Sequence, residues 1–163
     1  MEHESSSSIT KSYLYGVIAI IVVLPLLSIV VEEIVRGNPP LSYDMIGKWF
    51  IFYSAGIRLF TAGIRQIFNP SFTAKDIFHL EDVSGFPIVR ELGFANVSFG
   101  VIGILSLVFP GWRIVSGVGS GLFYGMAALN HYLKKPAGAN EVFAMVTNVF
   151  VFLLLAAYVV EAI

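Results

Sequence analysis

The chain has 163 residues, of which 56% are hydrophobic and only 13% are charged, and its mean hydropathy is +0.80. A soluble domain carries about 25% charged residues, so this composition excludes a disordered chain and disfavours a water-soluble globule. The formal net charge is -1 and there is no run of Lys or Arg, which argues against a nucleic-acid partner. Cysteine is absent, which excludes disulfides, thiolate metal sites and covalent haem attachment.

The charged residues avoid five apolar stretches of the sequence. The stretches are 14–31, 45–64, 92–112, 114–133 and 142–160. Of the charged residues only Lys48 and Arg58 fall within them, a segregation that a hydrocarbon layer imposes and a soluble core does not. Each stretch has about 20 residues, the length that a helix needs to cross a bilayer. We therefore expect a flexible polar tail over 1–11 and a single transmembrane domain over 12–163. The predicted fold is an all-α, polytopic membrane helical bundle with five transmembrane helices, at about 14–34, 45–68, 91–109, 113–133 and 141–161.

The first apolar stretch is expected to be retained rather than cleaved as a secretory signal. Its preceding tail is acidic and rich in Ser, with Lys11 as its basic residue, and the apolar run ends at Glu32 and Glu33 without a small-residue cleavage site. An odd number of spans places the two termini on opposite faces of the membrane.

The basic residues between the spans are unevenly divided between the two faces. The positive-inside rule therefore predicts that the amino terminus is cytoplasmic and the carboxyl terminus lies outside. On the other face, Lys48 is expected to snorkel to the outer surface. The basic residues that share the face of the amino terminus are Lys11, Arg65, Lys75, Arg90, Lys134 and Lys135, and those on the opposite face are Arg36, Lys48 and Arg113.

A longer connection follows the second predicted span. Asn69 and Pro70 end that helix, and the string from Thr73 to Asp76 resembles a capping box, which predicts a short amphipathic helix at about 73–80 on the cytoplasmic interface. Acidic and histidine side chains are typical of such a charged interfacial segment, so no metal site is predicted here. The side chains considered for it are Asp76, His79, Glu81 and Asp82.

Two stripes of small residues predict close contacts between helices. Lipid chains are as apolar as Leu, so helices in a bilayer associate where small residues let their backbones approach. One stripe is a repeated GxxxG pattern in the fourth span, and the other combines glycines with an amide in the third. The two stripes are Gly117, Gly121 and Gly125, and Gly93, Asn96, Gly100 and Gly103. We expect packing within one chain, with a homodimer face as the alternative.

Strongly polar residues within the predicted spans gather in their cytoplasmic half. The helical rise places Arg58 about 15 Å and Arg65 about 5 Å from the cytoplasmic end of the second span. Spacings of seven residues also put polar pairs on common faces of the second, fourth and fifth spans. These positions predict an inner-half polar pocket. Its candidate residues are Arg58, Arg65, Glu91, Asn96, Asn130, His131, Glu141 and Asn148.

Two interpretations of this pocket stay open at the level of sequence. A charge within the hydrocarbon usually faces a partner or a watered cavity. Arg58 with Asn96 and Asn148 could therefore bind the anionic or carbonyl head of a lipophilic ligand such as a quinone, a lipid or an isoprenoid. Alternatively, the two arginines could neutralise the two glutamates in a purely structural network. His131 is expected to be an interfacial or capping residue, with a proton relay as the less favoured role.

Four strings in the sequence resemble a family of small prokaryotic integral membrane proteins of unknown function. They are Gly47-Lys48-Trp49-Phe50, Arg65-Gln66-Ile67-Phe68-Asn69-Pro70, Arg90-Glu91-Leu92-Gly93-Phe94-Ala95-Asn96 and Gly121-Leu122-Phe123-Tyr124-Gly125. The resemblance covers about 47–158, implies the plasma (inner) membrane of a prokaryote and assigns no catalytic residue. More distantly, the Ala-Gly-Ile-Arg-Gln pattern at 62–66 is similar to DoxX-like four-helix membrane proteins, some of which accompany quinone-linked oxidoreductases. The first helix of this chain is additional to that pattern.

The sequence favours a non-enzymatic integral membrane protein, either an accessory subunit or a binder of a lipophilic ligand through the inner-half pocket. The alternative that the DoxX-like resemblance implies is a quinone-linked redox subunit. A small transporter ranks third, because such proteins usually show repeats and broken helices, and Pro25 is the only proline in the middle of a predicted span. We expect no covalent cofactor and no metal, a quinone or lipid as the candidate small molecule, and the bilayer, a second copy or a membrane complex as partners.

Overall fold

The computed structural model describes residues 8–38, 40–80 and 82–163, and these residues form helices and turns without a β-strand. The all-α prediction is therefore confirmed. Two short elements lie between the second and third long helices: a π-helical turn at Thr73–Ile77 and a 3-10 turn at Val83–Gly85. The five long helices are α1 (Lys11–Val35), α2 (43–68), α3 (Phe86–Leu105), α4 (Trp112–Lys134) and α5 (Ala139–Ala162).

The boundaries of α3 depart most from the sequence prediction. It begins five residues before the predicted start at 91, because Pro87 occupies its first turn, where a fixed φ and a missing N–H are compatible with a helix. It ends at Leu105 rather than at 109, since the backbone tightens there into turns in which the N–H of Leu107 bonds to the carbonyl of Ile104. The observed helix α3 therefore lies a few residues closer to the amino terminus than the predicted third span.

Three of the helices are long and apolar enough to cross a membrane, namely Lys11–Val35, Val83–Leu105 and Ala139–Ala162. They identify the chain as a membrane protein. The other two long helices are less apolar: α2 contains Lys48, Arg58 and Arg65, and α4 is rich in glycine and serine and ends with Asn130 and His131. Arg58 and His131 are buried inside the bundle and Lys48 is largely so, whereas Arg65 and Asn130 are exposed.

Contacts at the two ends of the bundle fix the directions of the helices. At one end, which we call the Thr10 end, the N–H of Thr10 donates to the side-chain oxygen of Asn140 at 2.9 Å, so α1 and α5 begin together. At the other end, the Asp44 end, Asp44 and Arg113 form an ion pair at 2.6 Å, so α2 and α4 begin together. Since α3 also packs antiparallel against α2, consecutive helices run in alternating directions. Residues 1–7 of the predicted tail lie outside the described residues.

The closest contact between two helices is the antiparallel pair of α2 and α3. A Cβ atom on Gly100 would lie 2.5 Å from the backbone N of Phe60, and one on Gly63 would lie 2.6 Å from the carbonyl oxygen of Gly93. Gly103 of α3 lies equally tightly against the backbone of Gly56 in α2. The α3 stripe predicted from the sequence therefore faces α2, whose matching glycines the sequence analysis did not single out.

The glycines of α4 lie against α5 of the same chain with a looser fit. A Cβ on Gly117 or Gly125 would come within 2.9 Å of the side chain of Val159 or Phe152. One on Gly121 would meet Leu155 at 3.6 Å, an ordinary van der Waals distance. These neighbours are side-chain atoms that can move, whereas the neighbours of Gly100 and Gly63 include backbone atoms that cannot. Both glycine stripes are thus covered within the chain.

Three stretches wind more widely than an α-helix, and the sequence analysis anticipated none of them. They are the π-helical segments Ala19–Val23 in α1, Ile51–Ile57 in α2 and Thr73–Ile77 in the connection. π-helical turns are rare in proteins, and those that occur are often found at functional sites. The one in α2 ends directly before Arg58, and the carbonyl of Ser54 within it accepts a hydrogen bond of 2.6 Å from the hydroxyl of Tyr124.

The capping box predicted at Thr73 is wrong. Phe72 before it already has a helical backbone, and no side chain caps the turn. Helical winding begins earlier, at Pro70, whose carbonyl accepts the hydrogen bond from the N–H of Ala74, and the fixed φ of proline suits the start of a helix. Thr73, Ala74 and Ile77 are buried, so this turn packs its apolar side onto the bundle.

We expect Gly100→Ala to destabilise the protein more than Gly121→Ala. At Gly100 the new methyl group would collide with the backbone of α2 and force the two helices apart, and such overpacking costs about 1–3 kcal/mol. At Gly121 the same methyl group fits at van der Waals distance. Thermal melting of both variants in one detergent would test this, and equal melting temperatures would contradict the packing described here.

Candidate functional site

A cavity of about 470 Å³ lies inside the bundle near the Thr10 end. All five long helices and the Thr73–Ile77 turn contribute to its wall. Most of that wall is apolar and aromatic, and a few polar side chains converge on it. A concave, largely apolar cavity with a small number of placed polar groups is the usual form of a site for a small molecule.

Arg58 is the central charge of this cavity. Its side chain is buried, with 8% of the residue exposed, and its Nη2 donates to Oγ1 of Thr147 at 2.9 Å and to Oδ1 of Asn148 at 3.0 Å. The guanidinium also lies 4.9 Å from the ring centre of Tyr124, a cation–π distance. Among the described residues no carboxylate pairs with Arg58, and its buried Nη1 has no hydrogen-bond partner. The cation is therefore held in position by neutral groups.

An amide pair forms a second polar part of the wall. Nδ2 of Asn96 donates to Oε1 of Gln66 at 2.7 Å, and both side chains are buried. The buried Oδ1 of Asn96 has no hydrogen-bond partner within the described part of the chain. A buried polar atom of this kind costs free energy unless a water or a ligand bonds to it. The cavity is the neighbouring space from which such a partner could come.

The third polar part is a carboxylate between two histidines. Oε1 of Glu141 accepts from Nδ1 of His131 at 2.9 Å, and its Oε2 accepts from Nε2 of His79 and from the backbone N–H of Ala137, each at 2.9 Å. Glu141 and His131 are buried, whereas the His79 side chain is 38% exposed. This group links the cavity wall, through His131, to the surface at the Thr10 end.

Arg65 is exposed at the edge of the cavity, where its guanidinium lies against an aromatic ring. Its guanidinium is 4.0 Å from the ring centre of Phe72, and Phe72 in turn packs edge-on against Tyr13 at 5.3 Å between ring centres. Within the described ranges, Arg65 forms no ion pair. The connection that follows α2 therefore folds back so that Phe72, Thr73 and Ile77 cover part of the cavity.

The structure does not bring all the predicted residues together. Glu91 is exposed on α3 and does not line the cavity, and Asn130 lines it only from an exposed position. Glu141 contributes through His131 rather than by direct contact with either arginine. Neither arginine therefore neutralises a glutamate in the part of the chain that the structure describes.

Several groups of this site were missed in the sequence analysis. Gln66 was not among the predicted site residues. It follows Arg65 directly, but successive residues of a helix point about 100° apart, and Gln66 is directed toward Asn96 of α3. Thr147 was overlooked beside Asn148, and Tyr124 was noted only for its spacing. His79 was set aside with the charged connection. Nothing in the sequence signals that His79 reaches Glu141, because 62 residues separate them.

One acidic residue of the connection bonds to a neighbouring backbone group. Asp82 accepts a hydrogen bond of 3.2 Å from the backbone N–H of Ser84, and this bond lowers the pKa of the Asp82 carboxyl below its ordinary value. Glu81 lies outside the described residues. Over the described ranges, no three His, Asp or Glu side chains come together as metal ligands.

Charged side chains form ion pairs with one another at the Asp44 end of the bundle, although the buried Nε of Arg113 has no partner among the described residues. Glu32 forms ion pairs with Lys48 and with Arg36 and accepts a hydrogen bond of 2.6 Å from Nε1 of Trp49. The expectation that Lys48 snorkels outward is therefore wrong, since this side chain is 13% exposed and is directed to the acidic end of α1. The ammonium group of Lys48 is stabilised more by an ion pair with Glu32 than by reaching the membrane interface, because Glu32 lies close enough to pair with it.

Comparison with known proteins gives one match. No curated protein and no solved structure matches the chain. A family described as "Family of unknown function (DUF6790)" matches residues 15–162, which is nearly the whole chain. The match agrees with the expected membership of a family of unknown function and does not bear on the likeness to DoxX-like proteins. The chain belongs to the DUF6790 family.

Proposed function

We propose that all five long helices cross the membrane, with the Thr10 end in the cytoplasm of a prokaryotic cell. Each helix has at least 20 residues, about 30 Å at the helical rise, which matches the hydrocarbon thickness. Their alternating directions support this topology. In α2 and α4 the side chains of Arg58, Arg113 and His131 are buried in the bundle, while the exposed Arg65 and Asn130 lie toward the Thr10 end. The excess of Lys and Arg at the Thr10 end supports the cytoplasmic assignment.

Reporter fusions at the two ends of the chain test this topology. A reporter that is active only in the cytoplasm should be active at the amino terminus and inactive at the carboxyl terminus, and a reporter that needs export should give the reverse. Equal locations of the two termini would rule out an odd number of spans.

We propose further that this protein is a non-enzymatic binder of a lipophilic molecule, whose polar head lies in the cavity beside Arg58 and Asn96. The observation that carries the proposal is that Nη1 of Arg58 and Oδ1 of Asn96 are both buried without a partner, on two residues that line one cavity. The apolar remainder of the wall suits a hydrocarbon body. A hydrogen bond to a charged group contributes about 1.5–3 kcal/mol, enough to retain such a molecule selectively.

The structural alternative lacks its main interaction. It requires an arginine of the pocket to be neutralised by a glutamate, whereas Glu141 is bound to His79 and His131 and Glu91 is exposed. A quinone, a lipid and an isoprenoid all fit the ligand class, and no specific contact favours the redox or transport functions. The identity of a retained molecule would distinguish among these sources.

Mass spectrometry of protein extracted gently into nanodiscs tests the ligand proposal. The wild type should retain a lipophilic molecule at close to one per chain. Gly16→Leu should lose it, because Gly16 lines the cavity and a side chain there would occupy open space without meeting a neighbour. Arg58→Gln should retain about tenfold less of the molecule or an even smaller amount, because it loses one charge-assisted hydrogen bond.

Gly111→Leu is the matched control for the cavity-filling variant. Gly111 also has open space around it, but it lies in the turn before α4, away from the cavity. This variant and wild type should retain equal amounts of the molecule, and all variants should be compared at similar melting temperatures. Retention of the same molecule by Gly16→Leu would refute the proposed site, and a copurified protein without a small molecule would instead favour an accessory subunit.

A further inference from the structure

The wall of the cavity carries two arginines and no carboxylate among the described residues. Arg58 lies within it and Arg65 lies at its edge, and arginine keeps its positive charge in folded proteins. Glu141 lies behind His131, and both of its carboxylate oxygens already accept hydrogen bonds from other groups. The cavity therefore holds positive charge that the described part of the chain does not compensate.

The opposite end of the same bundle pairs its buried cations with carboxylates. Arg113 pairs with Asp44 at 2.6 Å, and Lys48 pairs with Glu32. A buried charge is costly unless it is paired or hydrogen-bonded, so this arrangement is the expected one. The buried Nη1 of Arg58 bonds to no described residue. An anionic ligand would give Arg58 the partner that Asp44 gives Arg113.

The amide pair on the wall is compatible with a negatively charged head. The oxygen and nitrogen of an amide have nearly the same shape and are distinguished by the hydrogen bonds they make. Nδ2 of Asn96 donates to Oε1 of Gln66, and turning both amides over reverses the direction of this bond. The N–H group of Asn96 is then the one that is left without a protein partner. Asn96 therefore accommodates either an acceptor or a donor on the ligand.

The cavity meets the surface mainly between α1 and α2. Most of its lining residues are buried or half-buried, and the exposed ones mark its mouth. These are Ser12 and Gly16 of α1, Thr61 and Arg65 of α2, and Asn130 of α4. Arg58 lies seven residues from Arg65 in α2, which is about 10 Å along the helix axis. An anion that enters between α1 and α2 therefore passes an exposed arginine before it reaches the buried one.

The size of the cavity limits the apolar part of the ligand. A methylene group is about as large as a water molecule, whose share of liquid volume is about 30 Å³. The cavity of about 470 Å³ therefore has room for about 16 such groups. A single hydrocarbon chain with its head fits within this space, whereas a phospholipid with two chains would extend out of it.

Resting on the proposed binding function, we propose that the ligand is a single-chain amphiphile with an anionic head, a carboxylate or a phosphate. The head accepts a hydrogen bond from Nη1 of Arg58, and the apolar wall holds the chain. Arg65 attracts the anion to the mouth of the cavity without contacting the bound head. The two arginines therefore have different roles, one in retention and one in attraction.

Native mass spectrometry of the full chain in a nonionic detergent tests the charge of the head. Three probes share one hydrocarbon chain: hexadecanoate, hexadecyl phosphate and the neutral methyl hexadecanoate. At least one of the two anions should bind at close to one per chain, and at least about tenfold more tightly than the ester, because a hydrogen bond to a charged group is the stronger one. The anion that binds more tightly identifies the head.

Three variants separate the roles of the arginines. Arg58→Gln should bind the anions no more tightly than the ester, whereas Arg58→Lys should keep a preference for the anions because a cation remains. Arg65→Gln should weaken anion binding by about two- to fivefold, the usual size of an exposed charge interaction. This loss should disappear at high salt, which screens exposed charges more than buried ones.

Arg90→Gln is the matched control for the two glutamine variants. Arg90 is an exposed basic residue of α3 that does not line the cavity, so this variant should bind all three probes as wild type does. The comparison of the three probes on wild-type protein gives a result even if a variant fails to fold.

The outcomes distinguish the anionic head from the binding function on which it rests. Equal binding of the anions and the ester by wild type, or an unchanged preference in Arg58→Gln, overturns the anionic head and leaves the cavity as a binding site. Binding of none of the three probes overturns the single-chain class. A loss in Arg65→Gln that persists at high salt overturns attraction at the mouth. A neutral molecule retained during extraction would support the binding function while overturning the anionic head.

Discussion

The burial of the Arg58 guanidinium is the constraint around which the Thr10 half of the bundle is organised. A buried cation is costly unless it is hydrogen-bonded or paired, and here it is satisfied by two side chains of α5 and the ring of Tyr124 on α4, without a carboxylate among the described residues. Two helices must therefore converge on one residue of α2. Because its partners are neutral groups, the positive charge of Arg58 stays uncompensated beside the cavity.

The close contact of α2 with α3 makes that convergence possible. Gly56 and Gly63 bring α2 to the backbone of α3, so α3 supplies Asn96 to the cavity while α5 bonds to Arg58. The π-helical segment Ile51–Ile57 lies in the same part of α2 and leaves a carbonyl that accepts the hydroxyl of Tyr124. Backbone approach and widened winding together position one helix among three partners.

The charged side chains have different partners at the two ends of the bundle. This difference separates the candidate site from polar groups that only stabilise the fold. At the Asp44 end, Glu32 and Asp44 pair with basic side chains of α2 and α4. At the Thr10 end, the buried cation has no carboxylate among the described residues, while Glu141 is directed to two histidines. A purely structural network would bring Glu141 and Arg58 together, because opposite buried charges stabilise each other. Their separation leaves Arg58 without an acidic partner at the cavity wall.

The sequence by itself determined the membrane class, the five long helices to within a few residues at most ends, and the half of the bundle in which polar groups gather. Hydropathy and spacing carry this information because they depend on neighbours along one helix. Only the tertiary structure decided that Glu141 bonds to His131 and His79, that Lys48 pairs with Glu32, and that Gly56 and Gly63 meet α3. Each of these contacts depends on which faces of different helices meet, and helical periodicity places a residue on a face without specifying the helix that packs against it.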